Sequence, residues 1–346
     1  MANVSMSITE FVLMGFSDSW EGQVLHVVLF LFIYLAALVG NLLIVLLTTL
    51  DQHLHSPMHF FLKTLSLLDV CFISVTVPKA IIQSLTQNSS ISFLGCVAQV
   101  FLVVLFACAE LTLLTVMSYD RYVAICRPLH YQVVMKKAAC EQMLAASWLS
   151  GIASGLLNTS VTFSLPFCRS NFVHQFFCEI PSLLKLSCSE KFIAEIGAII
   201  VTTSLGIMCF ISILVSYIHI FSTVMSIPSV KGRSKAFSTC IPHLVVVTVF
   251  LNTGSIAYLK PVSESPSVSD LMVSVFYTVV PPTLNPIIYS LKNQDIKAAF
   301  WKMLRKTIFK YNDGNKNSNN NKGIDTSFNS DKHEVKLVNC NRLPAI

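Results

Sequence analysis

Charge is what this chain of 346 residues has least of. Asp, Glu, Lys and Arg together make up 12% of it, against 53% hydrophobic residues and a mean hydropathy of +0.66. So few charges leave too little polar surface for a soluble globule of this size and point to an integral membrane protein. The HExxH and GxSxG patterns of common hydrolases are missing, as are the paired intramembrane aspartates of membrane proteases, so no enzyme is expected. Inverted repeats, paired broken helices and rings of charge are not evident either, which disfavours a transporter or channel. No basic-aromatic patch argues for nucleic acid. Residues 1–23 hold no Lys or Arg and no short apolar core before a small-residue site, so a cleaved signal peptide is not expected.

What the chain does have is apolar length. A helix crosses a bilayer core with about 20 apolar residues, and seven windows offer them: Val24 to Leu50, Pro57 to Ile82, Val97 to Cys126, Met143 to Val161, Ile193 to Met225, Ala236 to Leu259 and Leu271 to Leu291. The second and seventh are the weakest, because each holds prolines and polar residues. The fold class expected is therefore an all-α membrane protein with a seven-transmembrane helix bundle over residues 24–291. Arg127, Lys136 and Lys137 flank the third and fourth windows, Lys231, Arg233 and Lys235 precede the sixth, and Lys292, Lys297, Lys302, Arg305 and Lys306 follow the seventh. The positive-inside rule places these in the cytoplasm and the N-terminal segment, 1–23, outside. There the sequon Asn3-Val4-Ser5 is a glycan acceptor. Across 292–310, Ile296, Ala299, Phe300, Met303, Leu304 and Ile308 recur at helical spacing opposite lysines, predicting an amphipathic cytoplasmic helix on the lipids of the inner leaflet. The tail, 311–346, opens with "NDGNKNSNNN" and reads as disordered.

Asn41, Asp69, Glu110 and Asn285 lie deep in four different windows, where an unpaired charge costs about 2.5 kcal/mol or more. They are expected to face one another as a hydrated network able to hold a cation, with simple helix-to-helix glue as the alternative. Pro286 removes a backbone donor and predicts a kink in the seventh helix, with Asn285 and Ser290 expected to satisfy the freed groups. Cys96, Cys168, Cys178 and Cys188 fall on the oxidising side; four cysteines allow three pairings, and the sequence does not choose among them.

Several blocks go further. Gly40-Asn41, "LHSPMHFFLKTLSLLD" (Leu54 to Asp69), "MSYDRYVAICRPLHY" (Met117 to Tyr131), Ser216-Tyr217, "KAFSTCIPHL" (Lys235 to Leu244) and "PPTLNPIIYSLKN" (Pro281 to Asn293) run through the chain from about Phe11 to Lys306. On these blocks the chain resembles the rhodopsin-like G protein-coupled receptors and, within them, the odorant (olfactory) receptors. The resemblance implies that Arg121 is held by Asp120 at rest and released when the sixth helix swings outward to admit a stimulatory olfactory G protein, which raises cyclic AMP. Tyr122, Tyr217, Lys235, His243, Asn285, Pro286 and Tyr289 match the family's coupling and switch positions. It further implies Cys96–Cys178 and Cys168–Cys188 bonds, an ion site at Asp69 and Glu110, trafficking chaperones, and a plasma-membrane location in olfactory cilia. The chain departs from the family at Ser118, where Ala is usual, His59 (Tyr), Leu251 (Tyr), Pro242 (Ser) and Gln175 (His).

The outer half of the third window, Val97 to Ala109, holds no carboxylate, which disfavours cationic amines as ligands. No lysine lies between Leu271 and Leu291, which excludes a retinal Schiff base. Val103, Val104, Ala107 and Cys108 share one helical face. By resemblance Thr202, Leu205, Ser255, Tyr258 and Thr278 line the other walls. Such a cavity suits a small neutral volatile ligand, bound mainly by desolvation and oriented by one hydrogen bond, with no cofactor or metal. A related receptor for a metabolite outside the nose is the alternative.

Overall fold

The computed structural model describes residues 9–16, 19–86, 88–168, 170–188, 193–259 and 268–305; the sequon at Asn3 and the tail from 306 lie outside them. Two units are distinguished, Met1–Phe300 and Trp301–Ile346, and the first carries all the elements named below. In chain order these are β1 (Glu10–Leu13), α1 (Trp20–Leu50), α2 (Pro57–Thr86), β2 (Ser90–Ser92), α3 (Phe93–Cys126), α4 (Tyr131–Val134), α5 (Lys137–Phe163), β3 (Phe172–Val173), α6 (Ile180–Leu184), α7 (Ile193–Met225), α8 (Val230–Leu259) and α9 (Val268–Lys292). Residues 294–300 are again helical, with Ile296 and Ala299 buried, and in the second unit 301–305 are helical too.

The seven long helices, α1, α2, α3, α5, α7, α8 and α9, form the transmembrane bundle of a multi-pass membrane protein. Some of their starts are chemically marked. Ser19 caps α1 by accepting from the Gly22 amide at 3.2 Å, and Ser92 caps α3 by accepting from Gly95 at 3.1 Å. Large apolar side chains such as Phe32 on α1 (71% exposed) and Ile218 on α7 (65%) point outward, where lipid rather than water is the solvent.

Among the described residues six helices are long and apolar enough to cross a membrane, and α5 is the exception. The weakest span is thus the fourth, not the second or seventh. Its serines return their protons to the helix backbone, Ser147 to the Met143 carbonyl at 3.0 Å and Ser150 to Ser147 at 2.9 Å, which makes a polar composition tolerable in lipid. Small residues there also serve packing. A Cβ added at Gly151 would lie 2.5 Å from the Leu105 carbonyl oxygen, and one at Gly155 would lie 3.0 Å from the Phe101 ring, so α5 meets α3 backbone to backbone. The sixth helix starts earlier than its window: Lys231, Arg233 and Lys235 lie inside α8, because hydropathy marks the bilayer and not the end of the helix.

A feature not legible in the sequence caps the outer end. The N-terminal segment supplies the middle strand of a small sheet ordered β2-β1-β3, antiparallel to β2 and parallel to β3. Phe11 and Leu13 are fully buried beneath it, in one cluster with Cys96, Cys178, Val100 and Val104.

Candidate signalling switch and ligand cavity

Disulfides Cys96–Cys178 and Cys168–Cys188, with Cα separations of 5.5 and 5.8 Å, bind the loop after α5 to the top of α3 and to itself. Below this lid the bundle holds its buried polar groups. The Asn285 amide donates to both oxygens of Asp69 at 3.1 Å and to Glu110 Oε1 at 3.3 Å, so α9, α2 and α3 converge on one carboxylate pair. Glu110 Oε2 and Asn285 Oδ1 are buried without a hydrogen-bond partner. Such an all-oxygen set suits a small hard cation, whose charge would offset that of the carboxylates.

Asn41 corrects the sequence expectation, since none of its hydrogen bonds is to that cluster. Its amide donates to the Pro282 carbonyl at 2.9 Å and to Ala37 at 3.0 Å. Pro286 has no N–H to offer the carbonyl four residues back, and that carbonyl belongs to Pro282. The group freed by the proline is thus served from α1, rather than by Asn285 or Ser290. Gly40 makes room for this: a Cβ there would meet Pro286 at 3.0 Å.

At the cytoplasmic end Arg121 donates to Asp120 Oδ2 from Nε at 3.0 Å and also from Nη2, while the Tyr131 hydroxyl donates to Oδ1 at 2.7 Å. Burial and the Asp120 carboxylate push the Tyr131 phenol well above its usual range, so it stays a donor. Asp120 and Arg121 are both buried. Tyr122 packs its ring on His219 of α7, centroids 5.7 Å apart, beneath the Arg127 guanidinium.

About two helical turns inward of Arg121 along α3, His243 joins three helices. Its Nε2 lies 3.0 Å from the Leu114 carbonyl, which can only accept, so Nε2 carries the proton. Nδ1 is then the acceptor for the Tyr217 hydroxyl at 2.7 Å, and the two rings stack. The link ties α8 to α3 and α7. Tyr289 is buried, its hydroxyl without a partner, whereas Lys235 is exposed. A groove of about 450 Å³ opens between the cytoplasmic ends of α7 and α8, lined by Met225, Phe237, Ile241 and Arg233 among others.

In the outer half Val103 and Val104 are buried, Ala107, Cys108, Thr202 and Leu205 are half-buried, and Ser255 is exposed; the side chain of Tyr258 lies outside the described residues. Thr202 donates to the Ala198 carbonyl at 3.0 Å and accepts from Asn158 at 2.8 Å; Thr278 is fully buried and donates to the Ser274 carbonyl at 2.7 Å. Both hydroxyls have their protons engaged and present lone pairs to a neighbour.

Sequence reasoning missed Glu179. Its Oε2 accepts from Tyr277 at 2.9 Å and Ser274 at 3.3 Å on α9, and its Oε1 from Ser182 at 2.9 Å. A carboxylate therefore does stand at the outer end, contributed by a loop and not by the third helix. Its position directly after Cys178 was the available signal.

Comparison with known proteins agrees with this architecture. Residues 30–307 match the family model described as olfactory receptor. The chain is 58% identical over 310 residues to human olfactory receptor 14A16, covering 90% of this chain and 100% of that one. It is 59% identical over 292 residues to human olfactory receptor 14L1, with 84% and 90% covered. Human olfactory receptor 14J1 is 54% identical over 306 residues, with 88% and 95% covered. A seven-helix bundle with these relatives along nearly its whole length belongs to the olfactory receptor family.

Proposed function

We propose that this receptor binds a small neutral volatile molecule among Val103, Val104, Ala107, Cys108, Thr202, Leu205, Ser255, Tyr258 and Thr278, and answers by activating a stimulatory G protein that raises cyclic AMP. The observation that carries the signalling half is the His243 link. One side chain on α8 holds α3 and α7, so α8 leaves the bundle only when that link breaks. In the same arrangement Asp120, itself fixed by the Tyr131 hydroxyl, holds Arg121. A ligand shifts this balance only by preferring the open form over the closed one. Asp69, Glu110 and Asn285 hold a cation that steadies the closed form. The helix that follows α9 lies on inner-leaflet lipid, and delivery to cilia uses trafficking chaperones.

The test is a cyclic AMP assay in cells expressing the receptor, its chaperones and the olfactory stimulatory G protein, with a panel of neutral volatiles and smaller sets of amines and acids. Responses to neutral volatiles that vanish in Arg121→Ala are expected. A surface-expressed receptor that answers only amines or acids would overturn the ligand class.

A further inference from the structure

Two consecutive loop residues are tied to opposite walls of the bundle. Cys178 is bonded to Cys96, and its amide donates to Gln99 Oε1 of α3 at 2.8 Å. Gln99 is itself fixed, donating to the Val75 carbonyl of α2 at 3.0 Å. The next residue, Glu179, accepts from Tyr277 and Ser274 of α9 at 2.9 and 3.3 Å. Gln99 stands one helical turn outside Val103, and Ser274 one turn outside Thr278. The peptide joining Cys178 to Glu179 therefore crosses the bundle directly above two walls of the ligand cavity. One anchor is covalent and cannot open; the other is a carboxylate held by two hydroxyls on one face of α9.

From this geometry we infer that Glu179 is the latch of a roof over the ligand cavity, and that a ligand enters from outside when the carboxylate leaves Tyr277 and Ser274. The inference rests on the ligand cavity of the proposed function. Glu179 acts here as a positioning residue; it holds the loop and need not touch the ligand. Ser182 has a different part. It lies three residues along the same loop, so its bond to Oε1 orients the carboxylate without reaching α9.

A thiol-accessibility experiment tests the latch without any odorant. A Val103→Cys reporter in a Cys108→Ser background is placed in intact cells and exposed to a membrane-impermeant, positively charged methanethiosulfonate. The labelling rate is corrected for the same background lacking the reporter and normalised to surface receptor. Glu179→Ala and the double variant Ser274→Ala/Tyr277→Phe are each expected to raise the rate about tenfold, the effect of losing hydrogen bonds to a charged group. Ser182→Ala should leave it near the starting value. The double variant keeps the loop sequence intact and answers the question if Glu179→Ala does not reach the surface. A rate unchanged in the latch variants overturns the inference, even where volatiles still activate the receptor. A raised rate in a receptor silent to every volatile upholds the latch and counts against the ligand class instead.

Discussion

Asn41 of α1 completes the hydrogen-bonding of α9: its amide donates at 2.9 Å to the Pro282 carbonyl that Pro286 leaves without a partner. A proline in a membrane helix is tolerable when another group supplies the missing donor, because lipid offers none.

Asn41→Ala should therefore cost about 1–3 kcal/mol, the penalty for stranding a buried carbonyl. Thermal unfolding of the detergent-solubilised receptor would show it as a lower midpoint and reduced surface delivery. A parental melting temperature would mean that Pro282 finds another donor.

Asp120→Asn removes the charge that holds Arg121 and should raise ligand-independent cyclic AMP about tenfold, given that a hydrogen bond to a charged group contributes about 1.5–3 kcal/mol. Tyr131→Phe removes one neighbouring bond and should give a smaller rise. Basal signalling equal to the parent in both variants would show that the cluster does not restrain Arg121.

His243→Phe and Tyr217→Phe interrupt one link, so their effects on basal cyclic AMP should not add. A double-mutant cycle reads this directly, with a coupling of about 0.5–3 kcal/mol expected for groups in contact. Additive single effects would separate the two residues.

Gly151→Leu should abolish surface expression, since even a Cβ there falls 2.5 Å from the Leu105 carbonyl oxygen. Gly254→Ala meets nothing within 4 Å and serves as the control. Flow cytometry on an N-terminally tagged receptor distinguishes them; equal delivery would mean that α5 shifts off α3 without penalty.

Thr278 donates its own proton to Ser274 and can only accept from a ligand. Thr278→Val should weaken alcohols, which donate, by about tenfold, while leaving ketones and esters within about twofold, the difference made by one hydrogen bond. Equal losses in both ligand classes would reassign Thr278 to packing.

Much of this was legible because the membrane constrains the chain so strongly. Seven apolar windows and their flanking basic residues carry the bundle, and the blocks around Asp120, His243 and Asn285 carry the proposed switch, with no knowledge of contacts. The readings that changed concern partners. Asn41 reads as one more buried amide, and nothing local tells that its acceptor is 241 positions away. Glu179 reads as a loop carboxylate until the Cys96–Cys178 bond and α9 are placed together. The strand Glu10–Leu13 has partners about 80 and 160 residues downstream, beyond any local pattern.

The sequence by itself determined the number of spans, their orientation and the family, since each follows from apolar length, the side on which basic residues accumulate and long contiguous motifs. Only the tertiary structure decided which polar groups meet. Hydrogen bonds in a membrane interior are assigned by the crossing of helices, so Asn41 serves Pro282, His243 joins Leu114 to Tyr217, and Glu179 reaches α9. Each pairing depends on distances of about 3 Å, set by how closely whole helices pack and not by the residues next to them in the chain.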